Sequence, residues 1–146
     1  RSETTVADPI QFPVFPRVTR QLMSSLSTPA QGMSLQQRFL DIISQNLANV
    51  ETTRTPDGGP YKRQVIVAGG TGADSSPELQ QVSDPRAGRS LYDPGHPDAD
   101  ADGFVAYPNV DVNTELVDMM VARRVFEANA SVFQAAKAML RRSLDI

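Results

Sequence analysis

The acidic segment from Asp98 to Gly103 comes closest, by residue type, to a chemical site. Asp98, Asp100 and Asp102 alternate with alanine, and Gly103 follows them. Carboxylates at positions one, three and five of a loop, with glycine at six, imitate the opening of a calcium loop. Position twelve is Asn109, whereas a calcium loop has a bidentate glutamate there. The pattern therefore favours a turn-rich loop whose aspartates accept local backbone hydrogen bonds, with calcium binding as the alternative.

The single histidine and a glycine cluster are the other candidates for chemistry. His96 lies between two prolines and near aspartates, a setting that suits a general base or a metal ligand. No second histidine, cysteine or serine nucleophile motif accompanies it, so we interpret it as part of a rigid loop. Residues 65–72 end in glycines but lack the spacing of a phosphate-binding loop. The sequence thus predicts no catalytic residue, no metal ligand and no cofactor.

The amino-acid composition excludes further classes of function. The chain has 146 residues, 14 Lys+Arg, 17 Asp+Glu, no cysteine and a formal net charge of −3. This acidic balance argues against a nucleic-acid partner, which requires a basic excess. The lack of cysteine excludes disulfides, thiolate metal sites and iron–sulfur clusters. We expect no membrane-spanning helix and no cleaved signal peptide, because no sufficiently long apolar segment is present.

The distribution of prolines indicates where long helices can form. Prolines interrupt the first 30 residues and the middle of the chain, but none follows residue 108. Because proline removes a backbone donor and clashes with the preceding turn, uninterrupted helices belong in the gaps. Helical spacing of apolar residues predicts one helix over 34–50 and a second within 109–146. Residues 18–26 form a shorter helical segment in this interpretation, interrupted by Pro29 and Gly32.

The C-terminal helix carries end signals. Asn113 or Thr114 can cap its start, and Glu115 lies near the positive end of its dipole. Arg141 and Arg142 lie in the last turn, where the dipole favours cations.

Two apolar rows run along this C-terminal helix, which predicts contact with more than one neighbour. About 30 helical residues span roughly 45 Å, longer than a compact domain of this size needs. The first row consists of Leu116, Met119, Phe126, Ala130, Phe133, Leu140 and Leu144. The second row consists of Val117, Val121, Ala128, Val132, Ala135 and Met139.

The middle of the chain is poor in large apolar residues and predicts little more than a small β element. Residues 61–67 are typical of one strand, broken by the glycines after it. Residues 78–82 and 103–107 are weaker strand candidates. Such a region is too small to build a large core of its own.

The predicted fold is mainly α, with N- and C-terminal amphipathic helices forming a coiled-coil-like pair. Residues 1–31 form a proline-rich N-terminal arm, residues 32–55 and 109–146 a terminal helical domain, and residues 56–108 a loop-rich middle with a small β-hairpin element. Two helices with surplus apolar surface are marginal alone in water. We therefore favour a subunit that completes its core in an assembly over a helical hairpin with a loose insertion.

Several segments together resemble one known superfamily. Residues 46–55, NLANVETTRT, resemble the N-[IL]-A-N-x-x-T-T signature of the flagellar rod, hook and hook-associated proteins. Residues 32–43 are similar to the amphipathic helix that precedes this signature. Residues 58–64, GGPYKRQ, and the loop 92–105 are similar to segments of a proximal rod protein of that superfamily. The resemblance extends over residues 32–146, and the acidic loop is its most specific part.

The resemblance implies a structural subunit and not an enzyme. Such subunits polymerise helically into the proximal part of the drive-shaft rod of the flagellar basal body, which crosses the periplasm and transmits torque. They are exported unfolded by the flagellar type III apparatus, without signal cleavage. The implied partners are further copies of the chain, other proximal and distal rod proteins, the adapter to the MS ring and the export apparatus, with no nucleic acid or small-molecule substrate. The alternatives are another rod-family subunit, or a calcium-binding protein that uses Asp98, Asp100 and Asp102.

The expected functional residues are accordingly interface residues. Asn and Thr side chains after the first helix (Asn46, Asn49, Thr52 and Thr53) are expected to secure the turn. The expected assembly interface comprises Leu35, Phe39, Ile42, Asn46, Asn49, Leu116, Met119, Phe126, Phe133 and Leu140. The expected family-signature loop comprises Asp93, Gly95, His96, Asp98, Asp100, Asp102 and Gly103.

Overall fold

The computed structural model describes residues 16–69 and 78–144. In these ranges the chain forms a long helix, four short strands and a second long helix. The helices are α1 (Pro16–Ala48) and α2 (Val112–Leu144). Residues 1–15 of the proline-rich arm and the predicted turn at Gly70 and Gly72 lie outside the described residues. Two long helices and a small β region, with about half of the chain helical, confirm the coarse prediction of the fold.

The first helix continues through the point where the sequence predicts a break. Pro29 and Gly32 both lie within α1, so the predicted interruption is wrong. Proline in a helix interior costs about 3 kcal/mol, and packing on the other helix offsets that cost. Pro29 is buried, and a Cβ atom built on Gly32 would lie 2.7 Å from Nδ2 of Asn129 on α2. Gly32 thus allows the two helices to approach closely.

Asp111 caps the second helix, which corrects the predicted cap at Asn113 or Thr114. The Asp111 carboxylate accepts hydrogen bonds from the backbone N–H of Asn113 (3.1 Å) and the hydroxyl of Thr114 (2.8 Å). A side chain just before the first helical turn is the usual partner for these free N–H groups. Arg141 and Arg142 lie in the last turn of α2, as predicted.

The two helices pack against each other in opposite directions. Asn46, near the end of α1, contacts Glu115 in the first turn of α2, whereas Gly32 faces Asn129. These two contacts are about four turns apart on each helix. The two helices therefore form an antiparallel hairpin. The β region connects them at the end of the hairpin where Asn46 lies.

The β region consists of two separate antiparallel hairpins. Strand β1 (Gln64–Gly69) pairs with β2 (Glu78–Ser83), in a register that sets Gln64 opposite Ser83. Strand β3 (Ser90–Tyr92) pairs with β4 (Phe104–Ala106), so that Tyr92 lies opposite Phe104. The sequence predicts β2 and β4 closely, places β1 about three residues too early, and gives no indication of β3.

The buried core is small and partly polar. Among the described residues, the buried apolar side chains are those of Ile42, Ile43, Val105 and Ala122, together with Pro29 and Pro108. Asn46 and Glu115 are buried with them. Within the described ranges, neither helix is long and apolar enough to cross a membrane. Because the apolar core is so small, the polar contacts where the two helices and β1 meet contribute strongly to fixing the fold.

Candidate functional site

Asn46 is the centre of a buried junction that joins α1, β1 and α2. It is 1% exposed, and its Oδ1 accepts hydrogen bonds from the Gln64 N–H (2.9 Å) and the Tyr61 hydroxyl (3.0 Å). Its Nδ2 donates to the Gln64 carbonyl (3.0 Å) and to Oε2 of Glu115 (3.3 Å). One asparagine thereby satisfies both backbone groups at the start of β1. Buried polar groups that are fully paired in this way specify one arrangement of the elements around them.

Glu115 is the charged member of this junction. Its side chain is fully buried and forms an ion pair with Nε of Arg63, the residue that precedes β1. Arg63 also reaches the half-exposed carboxylate of Asp118, at 3.5 Å. Burial raises the pKa of the Tyr61 hydroxyl above its ordinary value, and the negative charge of Glu115 raises it further. Tyr61 therefore remains a neutral donor to Asn46 at physiological pH.

The turn after α1 is secured by its own polar side chains, much as the sequence predicts. Nδ2 of Asn49 donates to the Gln45 carbonyl (2.8 Å), and the Thr52 hydroxyl donates to Oδ1 of Asn49 (3.1 Å). The Thr53 hydroxyl reaches instead to Oδ2 of Asp98 (2.8 Å). The Asn46 side chain does not take part in the turn, because it points into the buried junction.

The acidic loop uses its aspartates for structure. Nε of Arg54 pairs with Oδ1 of Asp98 at 2.8 Å, which fixes the loop to the turn after α1. Oδ1 of Asp100 accepts the N–H groups of Asp102 (2.9 Å) and Phe104 (2.8 Å). Asp98 thus fixes the loop to the turn after α1, whereas Asp100 stabilises the loop itself. The residues that the structure describes contain no cluster of three His, Asp or Glu side chains placed to hold a metal ion.

The remaining signature residues shape this loop. Nδ1 of His96 accepts the N–H of Asp98 (3.0 Å), and Oδ1 of Asp93 accepts the N–H of Gly95 (3.2 Å). Gly103 is buried and has a φ of +82°, which favours glycine. A Cβ atom on Gly103 would also lie 2.9 Å from the Tyr92 ring. His96 therefore acts as a hydrogen-bond acceptor within the loop, as the interpretation of a rigid loop element requires.

The first row of α2 faces α1. Phe126 and Phe133 lie three residues before and four residues after Asn129, so they share the face that packs on Gly32. Five members of the row are partly buried: Met119, Phe126, Ala130, Phe133 and Leu140. On α1, Leu35 and Phe39 are partly buried and Ile42 is buried.

Some residues of the expected interface pack within the single chain. Ile42 and Asn46 are used inside the single chain, so in this conformation they offer no surface to a neighbouring subunit. Among the α2 residues of the expected interface, Leu116 is the most exposed to solvent, at 45%.

The second row of α2 is exposed along the helix. Its large members are each more than half exposed, at 53% for Val117, 56% for Val121 and Val132, and 62% for Met139. Val125, at 39% exposed, continues the same face. No described part of the chain covers this face, so a long apolar strip is exposed to solvent.

Two family models match the helical parts of the chain. A model described as flagella basal body rod protein matches residues 26–54. A second, described as flagellar basal body rod FlgEFG protein C-terminal, matches residues 101–146. The matches coincide with the part of α1 that leads into the junction, and with the end of the acidic loop followed by α2.

Whole-chain relatives carry one name. The flagellar basal-body rod protein FlgC of Borreliella burgdorferi is 36% identical, over 86% of this chain and 97% of its own length. Its namesakes in Salmonella typhimurium (33% identical, 86% and 97% covered) and Bacillus subtilis (32% identical, 84% and 95% covered) are similar over the same extent. The chain belongs to the FlgC family. It is a structural subunit of the rod in the bacterial flagellar basal body.

This chain contains one structural pair that the sequence did not predict. Arg63 and Glu115 are far apart in sequence, and Glu115 looks like an ordinary first-turn acid that favours the helix dipole. The position of Glu115 in the helical repeat could have indicated the pair, since Glu115 lies on the same helix face as Met119 and Ala122. A carboxylate within an apolar stripe requires a buried partner, and Arg63 supplies it.

Proposed function

We propose that this subunit builds the proximal part of the flagellar rod by helical polymerisation through its two terminal helices, and that the resulting shaft transmits torque. The observation that carries the proposal is the exposed second row of α2. Fully burying a Val, Leu or Met side chain contributes about 1.5–3 kcal/mol, so a row of such residues supplies a strong drive to associate. A row that runs the length of a helix suits side-by-side packing against another helix.

The division of the two rows supports a specific architecture. The first row and α1 hold the helical hairpin together within one subunit, and the second row is available for its neighbours. In this proposal, residues 32–55 and 109–146 form the rod core as a coiled-coil-like pair, and residues 56–108 project from it. Contacts that do not close into a ring generate a filament, as a rod requires.

The proposal also specifies the partners. The second row packs on further copies of the chain and on other proximal and distal rod proteins. The adapter to the MS ring contacts the base of this assembly, and the type III apparatus exports the chain unfolded, without a cleaved signal peptide. No catalytic activity, cofactor, metal or small-molecule substrate belongs to this function.

Sedimentation velocity combined with circular dichroism tests the proposal across a concentration series, with and without other rod proteins. We expect larger species as concentration rises, and a further increase when other rod proteins are added. Val121→Ser, which removes apolar surface from the second row, should weaken that association, and Gln134→Ser on another face of α2 is the matched control. A compact monomer that is indifferent to concentration and to rod partners would contradict the proposal.

A further inference from the structure

An exposed aromatic pair lies on the outer face of the β3–β4 hairpin. Tyr92 and Phe104 are opposite each other in the register, and their ring centroids are 5.3 Å apart with the planes at 66°. They are 62% and 42% exposed, whereas Val105, the next residue along β4, is buried. The hairpin therefore anchors through Val105 and presents the aromatic pair to solvent. Paired aromatic rings provide a large apolar contact surface at interfaces.

Negative charge surrounds this pair. Asp93 directly follows Tyr92, and Asp100 and Asp102 precede Phe104; all three are exposed. Asp100 accepts two backbone N–H groups, which leaves its charge in place. In the described ranges, the ion pairs involve none of these three carboxylates. The surface of the hairpin is thus an apolar centre with an unneutralised acidic rim.

The second row of α2 has the opposite character. Arg124 follows Val121 by three residues and Arg142 follows Met139 by three, so each arginine lies beside the row on the helix surface. The two arginines are 18 residues or about five turns apart, which sets them on the same side of α2. Both are exposed, and neither has an ion-pair partner among the residues that the structure describes. The row is therefore an apolar strip with a basic border.

We infer that the aromatic pair and its acidic rim dock on the second row of α2 of the next copy of this chain. Apolar surface meets apolar surface, and Asp102 and its neighbours face the arginine border, which fixes the register of the contact. The two surfaces do not meet within one chain, since no Cα atom of β3 or β4 lies within 8 Å of a Cα atom of α2. Two different patches that meet between copies form a heterologous contact, which propagates into an open filament. The inference rests on the proposed function and names the surfaces that carry it.

Paired cysteines provide the test, because the chain has no cysteine of its own. Cells whose own gene is deleted express the full chain as Asp102→Cys/Arg124→Cys or as Asp102→Cys/Arg142→Cys. Basal bodies are then isolated and oxidised. The two arginines are about 27 Å apart along α2, so one Asp102 can face only one of them. Since each copy can join the next, we expect one of the two variants, and not the other, to give a ladder of cross-linked oligomers on a non-reducing gel, each containing only this chain. The matched control, Asp102→Cys/Arg123→Cys, uses the adjacent arginine about 100° around the helix, and should give no ladder.

The outcomes separate the inference from the proposed function. Motile cells whose basal bodies contain the cysteine variants but give no ladder, or whose cross-links join a different protein, overturn the inference and leave the proposed function intact. If the unaltered chain is absent from isolated basal bodies, the proposed function itself fails.

A charge-reversal pair tests the docking contact if the cysteine variants do not assemble. We expect Asp102→Arg to reduce incorporation into basal bodies on the order of tenfold, because like charges then face each other across the contact. Adding Arg124→Asp or Arg142→Asp to the same chain should restore incorporation for the one arginine that faces residue 102, and not for the other. Equal incorporation of the single and double variants overturns the inference.

Discussion

Arg63, which is partly buried, forms an ion pair with the fully buried Glu115 and thereby fixes the start of β1 to the first turn of α2. Glu115 is fully buried, and Asn46 donates to its second oxygen, so the carboxylate is paired on both sides. The pair lies where α1, α2 and the β region all meet. The β region is therefore held rigidly on the helical hairpin, as a subunit that transmits force between neighbours requires.

Removing one partner of this pair should destabilise the chain strongly. We expect Glu115→Ala to cost about 3 kcal/mol, because it leaves the partly buried Arg63 charge without its main partner and removes the acceptor of Asn46. The free energy of unfolding, from urea titration, measures the loss. Asp118→Ala is the matched control, since its half-exposed carboxylate lies 3.5 Å from the same arginine and should contribute less than about 1 kcal/mol. Equal effects of the two substitutions would contradict a dominant role for the buried pair.

Two glycines at close approaches should respond differently to alanine. A Cβ atom on Gly88 would lie 1.9 Å from the Tyr107 carbonyl oxygen, and backbone does not yield easily. We expect Gly88→Ala to cost about 1–3 kcal/mol through overpacking. At Gly32 the obstacle is the end of the Asn129 side chain, which can rotate away, and alanine gains about 1 kcal/mol of helix propensity. Gly32→Ala should therefore be close to neutral by thermal unfolding, and a larger loss than at Gly88 would refute this reasoning.

The carboxylate of Asp84 should contribute to acid sensitivity. The side-chain hydrogen bond from Arg86, then its backbone N–H, lowers the pKa of Asp84 from 3.8 to about 2. A depressed pKa stabilises the folded state above the unfolded pKa, and that contribution is lost as pH falls from about 4 to about 2.

Urea unfolding across this pH range isolates the contribution. The difference in unfolding free energy between the unaltered chain and Asp84→Asn should shrink as pH falls through that window. Asp41→Asn, at an exposed position on α1, controls for general charge effects. A difference that stays constant with pH would show that the Asp84–Arg86 contact does not act in this way.

Sequence patterns predict the elements of this fold better than their contacts. Apolar spacing predicts both helices, and turn residues mark β2 and β4. Pro29 was misjudged because its cost depends on tertiary packing at Gly32, which local rules do not include. Strand β3 was missed because all three of its residues are exposed, whereas β4, which is equally short, has the buried Val105.

The functional surfaces show the same limit. The sequence indicates two apolar rows on α2, but both are similarly apolar, so spacing alone does not tell which row faces α1. Gly32 opposite Asn129 and Asn46 opposite Glu115 decide it, and both contacts join residues far apart in sequence. The junction at Asn46 was likewise predicted as a local turn because its partners lie on other elements.

The central claim is that the exposed second row of α2 assembles the rod, and Val132→Asp tests it most directly. The variant is expressed in cells whose own gene is deleted, with Gln134→Asp, on a different exposed face of α2, as the control. Because Val132 is 56% exposed, the fold should survive, which circular dichroism of the purified variant checks. The account predicts that Val132→Asp abolishes incorporation into basal bodies and swimming, while Gln134→Asp retains both. A folded Val132→Asp variant that supports normal rods and motility would contradict the account.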